Sequence, residues 1–119
     1  MNRLEDLPNK DKLVEWLVNR QIAGFQGRIN KVPDTCYSFW IGATLSMLGA
    51  QDLIDFKMLR SHTFTCQKKI GGFSKHPDQH PDVLHTYMSL CGLNLLGNEP
   101  GIQKVDPALG FNAKFAKKN

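Results

Sequence analysis

The sequence has few cysteines, no long apolar run and no strand-like alternation. Three widely spaced cysteines in 119 residues do not suggest a disulfide framework, so we expect a reducing, cytoplasmic environment. No apolar run approaches the ~20 residues that a membrane-spanning helix needs, so no membrane span is predicted. The charged N-terminus lacks the apolar core of a secretory signal. Because apolar and polar residues do not alternate as they do in half-buried strands, an all-α fold is predicted.

The chain also lacks a concentrated basic surface. Its formal net charge is +4 and its pI is about 9.1. Part of that charge comes from a C-terminal end that we expect to be solvated and frayed, with Lys114, Lys117 and Lys118. The other cations are spread out, and the exposed aromatic residues that stack on bases are missing. Nucleic-acid binding is therefore not predicted.

What the sequence does contain is an internal repeat. Gly24-Phe25 recurs as Gly72-Phe73, and Pro33-Asp34 recurs as Pro81-Asp82, each at an offset of 48 residues (72 − 24 and 81 − 33). A period near 48 residues is typical of arrays of helical hairpins. We therefore predict two hairpins, at about residues 11–49 and 55–97, followed by an irregular tail over residues 98–119.

Helical spacing predicts four helices within these hairpins, with Asp34, Asp55 and Asp82 as the caps of the last three. The expected ranges are Asp11 to about Ile22, Asp34 to Leu48, Phe56 to about Gln67, and Val83 to Leu96. The tail is expected to lie over the helices through Val105, Pro107 and Leu109. Since stacked hairpins need about three or more units to be stable, residues 1–119 are interpreted as one segment of a longer array or complex.

The two inner helices begin with side chains that suggest a metal site. Asp34 is expected at a helix cap, where its carboxylate can fold back beside Cys36. The repeat places His85 in the corresponding first turn of the second inner helix, where it can close the same site. Aspartate, cysteine and histidine are suitable zinc ligands, and three of them leave a fourth position open, as in catalytic zinc sites.

A basic loop precedes the first of these helix starts. Arg28, Lys31 and the Tyr37 hydroxyl lie within one loop and one turn of the predicted metal site, near a positive helix end. These groups are suited to hold the diphosphate of a leaving group. An open zinc position would hold a substrate thiol as thiolate, so the nucleophile would belong to the substrate and Cys36 would be a ligand.

A structural interpretation remains open beside this one. A capping aspartate is usually only a cap, and a cysteine in a helix is usually packed in the core. The chain would then be a non-catalytic helical-repeat interaction module. Cys66 and Cys91 are interpreted as inert core thiols, and the remaining histidines as solvated rather than metal-binding: His62, His76 and His80.

Two segments resemble a known family. The stretch GRINKVPDTCYSFW is similar to the zinc-binding segment of protein prenyltransferase β subunits, and GGFSKHPDQHPDVLHTY is similar to the later segment that supplies a ligand histidine. The likeness runs from about Trp16 to Leu109. It implies an α/α toroid of helical hairpins, of which this chain would hold about two hairpins and the tail.

The resemblance also implies roles for particular residues. Zinc would bind to Asp34, Cys36 and His85. The prenyl diphosphate would bind to Arg28, Lys31 and Tyr37, and Trp40 would line the isoprenoid cavity.

Within this family the sequence is most similar to the type I geranylgeranyl branch. Lys75, ten residues before His85 (85 − 75), replaces an aspartate that is linked to magnesium in the farnesyl and Rab enzymes. Its ammonium would neutralise diphosphate charge, so magnesium is not expected to be required. Leu84, expected on the peptide side, replaces the tyrosine usual in farnesyl enzymes. The order Val32-Pro33 is closer to the Rab branch.

The resemblance therefore implies a function. The chain would be the C-terminal part of a β subunit that works with a prenyltransferase α subunit. The enzyme would transfer geranylgeranyl from geranylgeranyl diphosphate to the cysteine of C-terminal CaaX proteins, such as Rho-family small GTPases. Alone, the chain is expected to be inactive or nearly so. The alternatives are a Rab geranylgeranyltransferase or farnesyltransferase β subunit, or the non-catalytic module.

Overall fold

The computed structural model describes residues 3–116, which form four α-helices joined by loops. The helices are α1 (Lys10–Val18), α2 (Tyr37–Met47), α3 (Phe56–Thr65) and α4 (Val83–Gly97), with short 3₁₀-helices at Leu4–Asp6, Gln51–Leu53 and Ala113–Phe115. Within residues 3–116, β-pairing is limited to isolated bridges, so the predicted all-α fold is confirmed. No helix in this range is long and apolar enough to cross a membrane. Lys117 and Lys118 of the predicted tail lie outside the described residues.

The inner helices α2 and α4 form the centre of the fold. They make the most extensive helix–helix contact, and residues such as Leu45 and Leu93 are almost fully buried. Both helices are apolar on most faces, which is typical of helices covered on several sides. The outer helices bury narrower stripes, with Leu17 on α1 and Leu59 on α3. A buried hydroxyl also joins the inner helices, since Ser38 Oγ donates to the Met88 carbonyl at 3.1 Å.

Helix α1 ends at Val18, so the predicted end near Ile22 was wrong. The backbone of Gln21 leaves the helix and forms an isolated bridge with Phe25. The Gln21 amide also bonds the Asp55 backbone twice, accepting from its N–H at 2.9 Å and donating to its carbonyl at 2.7 Å. These contacts with the second hairpin outweigh the local helical pattern.

Two of the three predicted capping residues do cap their helices. Asp55 accepts the Met58 N–H at 2.9 Å, and Asp82 accepts the His85 N–H at 2.9 Å. Helix α2, however, begins at Tyr37 rather than at Asp34, because the residues between them form a tight turn. Helix α3 ends at Thr65, two residues before the predicted end.

The tail covers α4 over part of its length. The Val105 N–H donates to Asn94 Oδ1 at 2.9 Å, and the Val105 side chain packs beside a buried cluster that includes Cys91. Leu109 is 56% exposed, so its predicted packing role was wrong. The adjacent residue of the tail, Gly110, is buried instead.

Candidate metal centre

Three potential ligands meet where α2 and α4 begin. The ligand atoms of Asp34, Cys36 and His85 all lie within 4.8 Å of one another. Zinc ligands lie about 2.0–2.3 Å from the ion, so atoms this close can converge on one ion after small side-chain adjustments. The donor set of one carboxylate, one thiolate and one imidazole suits zinc, and the three residues therefore fit this metal.

The turn before α2 positions the first two ligands. Asp34 Oδ1 accepts the Cys36 N–H at 2.9 Å, so the carboxylate does fold back beside the cysteine. The backbone N–H of Asp34 donates to the Phe25 carbonyl at 3.1 Å, which ties this turn to the Gly-Phe loop. The carboxylate and the thiol consequently face the same space in front of α2.

Thr35 connects this turn to the loop that precedes α4. Its N–H donates to the Lys75 carbonyl at 3.2 Å, and its buried hydroxyl donates to the Ser74 carbonyl at 2.8 Å. These two bonds cross from one hairpin to the other. They fix the relative position of the two halves of the site.

Asp82 orients the histidine. His85 Nδ1 lies 2.7 Å from Asp82 Oδ2, while His85 Nε2 lies 3.3 Å from Asp34 Oδ1. With Nδ1 as the donor to Asp82, the Nε2 lone pair faces the other two ligands, an arrangement common among metal-binding histidines. The His85 backbone N–H holds the pKa of Asp82 below its ordinary value. The sequence predicts Asp82 only as a helix cap, although its spacing from His85 could have indicated this second contact.

The electrostatics of Cys36 do not favour a nucleophile in the protein alone. In the protein alone, burial, followed by the neighbouring Asp34 carboxylate, raises the pKa of the Cys36 thiol to about 12. Such a thiol is not ionised at neutral pH and does not attack a substrate. A bound cation reverses this preference, because a coordinating thiol is deprotonated outright.

A cationic cavity adjoins the three ligands. It has a volume of about 400 Å³ and includes Asp34 in its wall. The residues predicted to bind the diphosphate also line it: Arg28, Lys31, Tyr37 and Lys75. Three cations and a phenol in one cavity are suited to bind a multiply charged anion. The structure thus places the predicted metal and diphosphate residues side by side.

Trp40 and Leu84 do not line this cavity. Trp40 on α2 is 52% exposed and Leu84 on α4 is 53% exposed, so each projects from the surface of its helix. Trp40 also makes an edge contact with Phe39, their ring centroids 5.4 Å apart. Their assignments to the isoprenoid cavity and the peptide side remain predictions.

Two histidines interpreted as solvated are in fact half-buried. His76 lines the cationic cavity, and its Nδ1 lies 2.9 Å from the Pro33 carbonyl oxygen. His62 packs over Gly24, and burial lowers its pKa. Only His80 is exposed as expected. The position of His76 beside Lys75 was the available signal that it belongs near the site.

The two hairpins and the site between them define a class: a toroid-forming helical-hairpin domain with a candidate metal centre. The chain belongs to the prenyltransferase alpha-alpha toroid domain family, whose model matches residues 1–111. The α/α toroid fold predicted from the sequence is confirmed.

Its relatives include β subunits of type-1 geranylgeranyl transferases. The chain is 50% identical over 121 residues to the geranylgeranyl transferase type-1 subunit beta of Dictyostelium discoideum, covering 100% of this chain and 34% of that protein. It is 48% identical over 101 residues to the Arabidopsis thaliana protein of the same description, covering 83% of this chain and 27% of that protein. The chain thus spans about a third or less of the length of these relatives.

A solved structure shows the same fold. It is described as Candida albicans protein geranylgeranyltransferase-I complexed with GGPP, and it matches with a TM-score of 0.81 at 30% identity. The match covers 88% of this chain and 36% of that chain.

Proposed function

We propose that this chain is the metal- and diphosphate-binding part of a type I protein geranylgeranyltransferase β subunit. The observation that carries the proposal is the meeting of Asp34, Cys36 and His85 beside a cavity lined by cations. The similarity to type-1 β subunits supports the same branch. The complete enzyme would pair this subunit with an α subunit and transfer geranylgeranyl from its diphosphate to the cysteine of CaaX proteins.

The chain's own residues would hold both reactants. Asp34, Cys36 and His85 would hold zinc, which when bound would supply the cation that keeps the substrate sulfur deprotonated near neutral pH. Arg28 and Lys31 would bind the diphosphate, and the Tyr37 hydroxyl would donate to it. These groups would stabilise the negative charge that grows on the diphosphate as its bond to carbon breaks.

Lys75 supports the type I branch over its alternatives. Its side chain lines the cavity, where its ammonium would neutralise part of the diphosphate charge. A magnesium ion would then be dispensable at this position. The farnesyl and Rab branches would require magnesium here, and this requirement distinguishes them experimentally.

A chimeric subunit tests the proposed function. This chain would replace the matching third of the Dictyostelium subunit, and the product would be purified with its α subunit. We expect geranylgeranyl transfer to a CaaX peptide without added magnesium, and little or no transfer by the 119-residue chain alone. Dependence on magnesium, or transfer only to Rab proteins, would assign the chain to another branch. A well-folded chimera without any transferase activity would contradict the proposal.

Asp82 provides a prediction that separates metal binding from folding. Asp82→Asn keeps a good helix cap but removes the carboxylate that faces His85 Nδ1. We expect zinc affinity to fall about 10- to 100-fold, as is common when the partner of a ligating histidine is lost. Competition with a chromophoric chelator measures this change.

Asp55→Asn is the matched control, because Asp55 caps α3 without contacting a histidine. It should change stability about as much as Asp82→Asn and leave zinc affinity unchanged. Equal zinc affinities in the two variants would show that Asp82 is only a cap.

A further inference from the structure

Lys75 stands between the candidate metal ligands and the cationic cavity. Its Nζ lies 3.7 Å from Asp34 Oδ2, and its side chain also forms part of the cavity wall. The Lys75 side chain is 46% exposed, whereas the Asp34 side chain is 12% exposed. The lysine is therefore the partner with room to move.

The backbone of Lys75 is fixed while its ammonium is not. The Lys75 carbonyl accepts the Thr35 N–H at 3.2 Å, and the preceding Ser74 carbonyl accepts the Thr35 hydroxyl at 2.8 Å. Thr35 itself is 2% exposed. The ammonium can therefore move only by rotation of the Lys75 side chain, which carries it between Asp34 and the cavity.

The two oxygens of Asp34 have different neighbours. Oδ1 accepts the Cys36 N–H and faces His85 Nε2, whereas Oδ2 faces the Lys75 ammonium. A divalent ion held by Asp34 would neutralise the same carboxylate and repel the ammonium. An anion in the cavity would attract the ammonium in the opposite direction, away from Asp34.

We propose that Lys75 is a counter-ion shared between Asp34 and an anion in the cavity, and that its transfer links metal binding to diphosphate binding. This inference rests on the proposed function and adds a coupling between the binding of zinc and the binding of the diphosphate. Lys75 competes with the metal for Asp34, and a bound metal releases the ammonium to the diphosphate. By linkage, bound diphosphate strengthens metal binding by the same factor.

The competition is tested with zinc alone. Lys75→Met keeps most of the length of the side chain and removes its charge. We therefore expect the chimeric subunit, purified with its α subunit, to bind zinc about 10-fold more tightly when it carries this substitution, within the range of coupling between sites. Lys31→Met is the matched control. It removes the same charge from the same cavity wall, and among the ion pairs of residues 3–116 Lys31 has none with Asp34. Its zinc affinity should remain within about 2-fold of the parent.

The linkage is tested with geranylgeranyl diphosphate. Calorimetric titration of metal-free and zinc-loaded protein should show about 10-fold tighter binding to the zinc-loaded parent. The difference in diphosphate affinity between zinc-loaded and metal-free protein should be smaller in Lys75→Met and unchanged in Lys31→Met. Zinc retained by the protein after gel filtration establishes that the diphosphate has not removed the metal, and circular dichroism establishes that each variant keeps its helices.

The outcomes distinguish the shared counter-ion from the proposed function. Tighter zinc binding by Lys75→Met alone supports the shared counter-ion. Unchanged zinc binding, or an equal gain in both variants, overturns it and leaves the proposed function intact, because the site still binds its metal. Failure of the folded parent to bind zinc at all contradicts the proposed function, and the inference with it.

Discussion

Cys36→Ala is expected to abolish stoichiometric zinc binding by the folded chain. The substitution removes one of three ligand atoms that lie within 4.8 Å of one another, and it removes the softest of the three donors. Loss of a residue that hydrogen-bonds a ligand already costs zinc affinity about 10- to 100-fold, and loss of a ligand should cost more than 100-fold. Metal analysis after dialysis, together with chelator competition, measures the change.

Cys91→Ala is the appropriate control for this experiment. Cys91 is a buried free thiol on α4 that packs with Phe39, Ala43 and Met88. Cys36 packs against the same cluster, but the Cys91 sulfur is not among the three grouped ligand atoms. Its truncation should lower the free energy of unfolding and leave one zinc per chain. If Cys36→Ala retains zinc as the parent does, or if the parent never binds zinc, the chain is a helical-repeat module and not the metal-binding part of a transferase.

The most informative features of the sequence were local signals repeated at one interval. Asp82 caps α4 and Asp34 lies in the turn just before α2, and each carboxylate accepts a backbone N–H there. Since hairpins with the same internal spacing stack in the same orientation, residues at matched positions approach each other. This geometry explains how an offset of 48 residues (82 − 34) could predict that His85, in the first turn of α4, lies close to Asp34 and Cys36.

What the sequence did not reveal depends on contacts between distant segments. Helix α1 ends early because Gln21 bonds the Asp55 backbone, 34 residues away (55 − 21). His76 is half-buried because its ring reaches the Pro33 carbonyl in the other hairpin. Neither contact leaves a local pattern, because both partners are ordinary loop residues. The contact between Lys75 and Asp34 belongs to the same class, although each residue had been assigned a separate role.

The close contact between α2 and α4 gives the second large prediction. Gly92 lies in α4 directly against Ser38 of α2. A Cβ atom at position 92 would be 2.4 Å from Ser38 Oγ and 2.7 Å from the Ser38 carbonyl carbon. Backbone atoms cannot yield as a side chain can, so the two helices would have to move apart. We therefore expect Gly92→Ala to destabilise the chain by about 1–3 kcal/mol, despite the higher helix propensity of alanine.

Gly42→Ala is the matched control on the facing helix. A Cβ atom there would meet Leu96 Cδ1 at 2.8 Å, which is the far end of a flexible side chain that can rotate away. The gain of about 1 kcal/mol in helix propensity should offset much of that contact, so its free energy of unfolding should stay near that of the parent. Urea titration followed by circular dichroism gives both values.

Moving α2 and α4 apart should also change the distances between the candidate metal ligands. Ser38 lies two residues after Cys36, and Gly92 lies on the same helix as His85, so moving the helices apart separates ligands that come from different hairpins. Zinc affinity should therefore fall in Gly92→Ala and persist in Gly42→Ala. A stable Gly92→Ala protein with parental zinc affinity would show that the inner helices do not set the distance between the ligands.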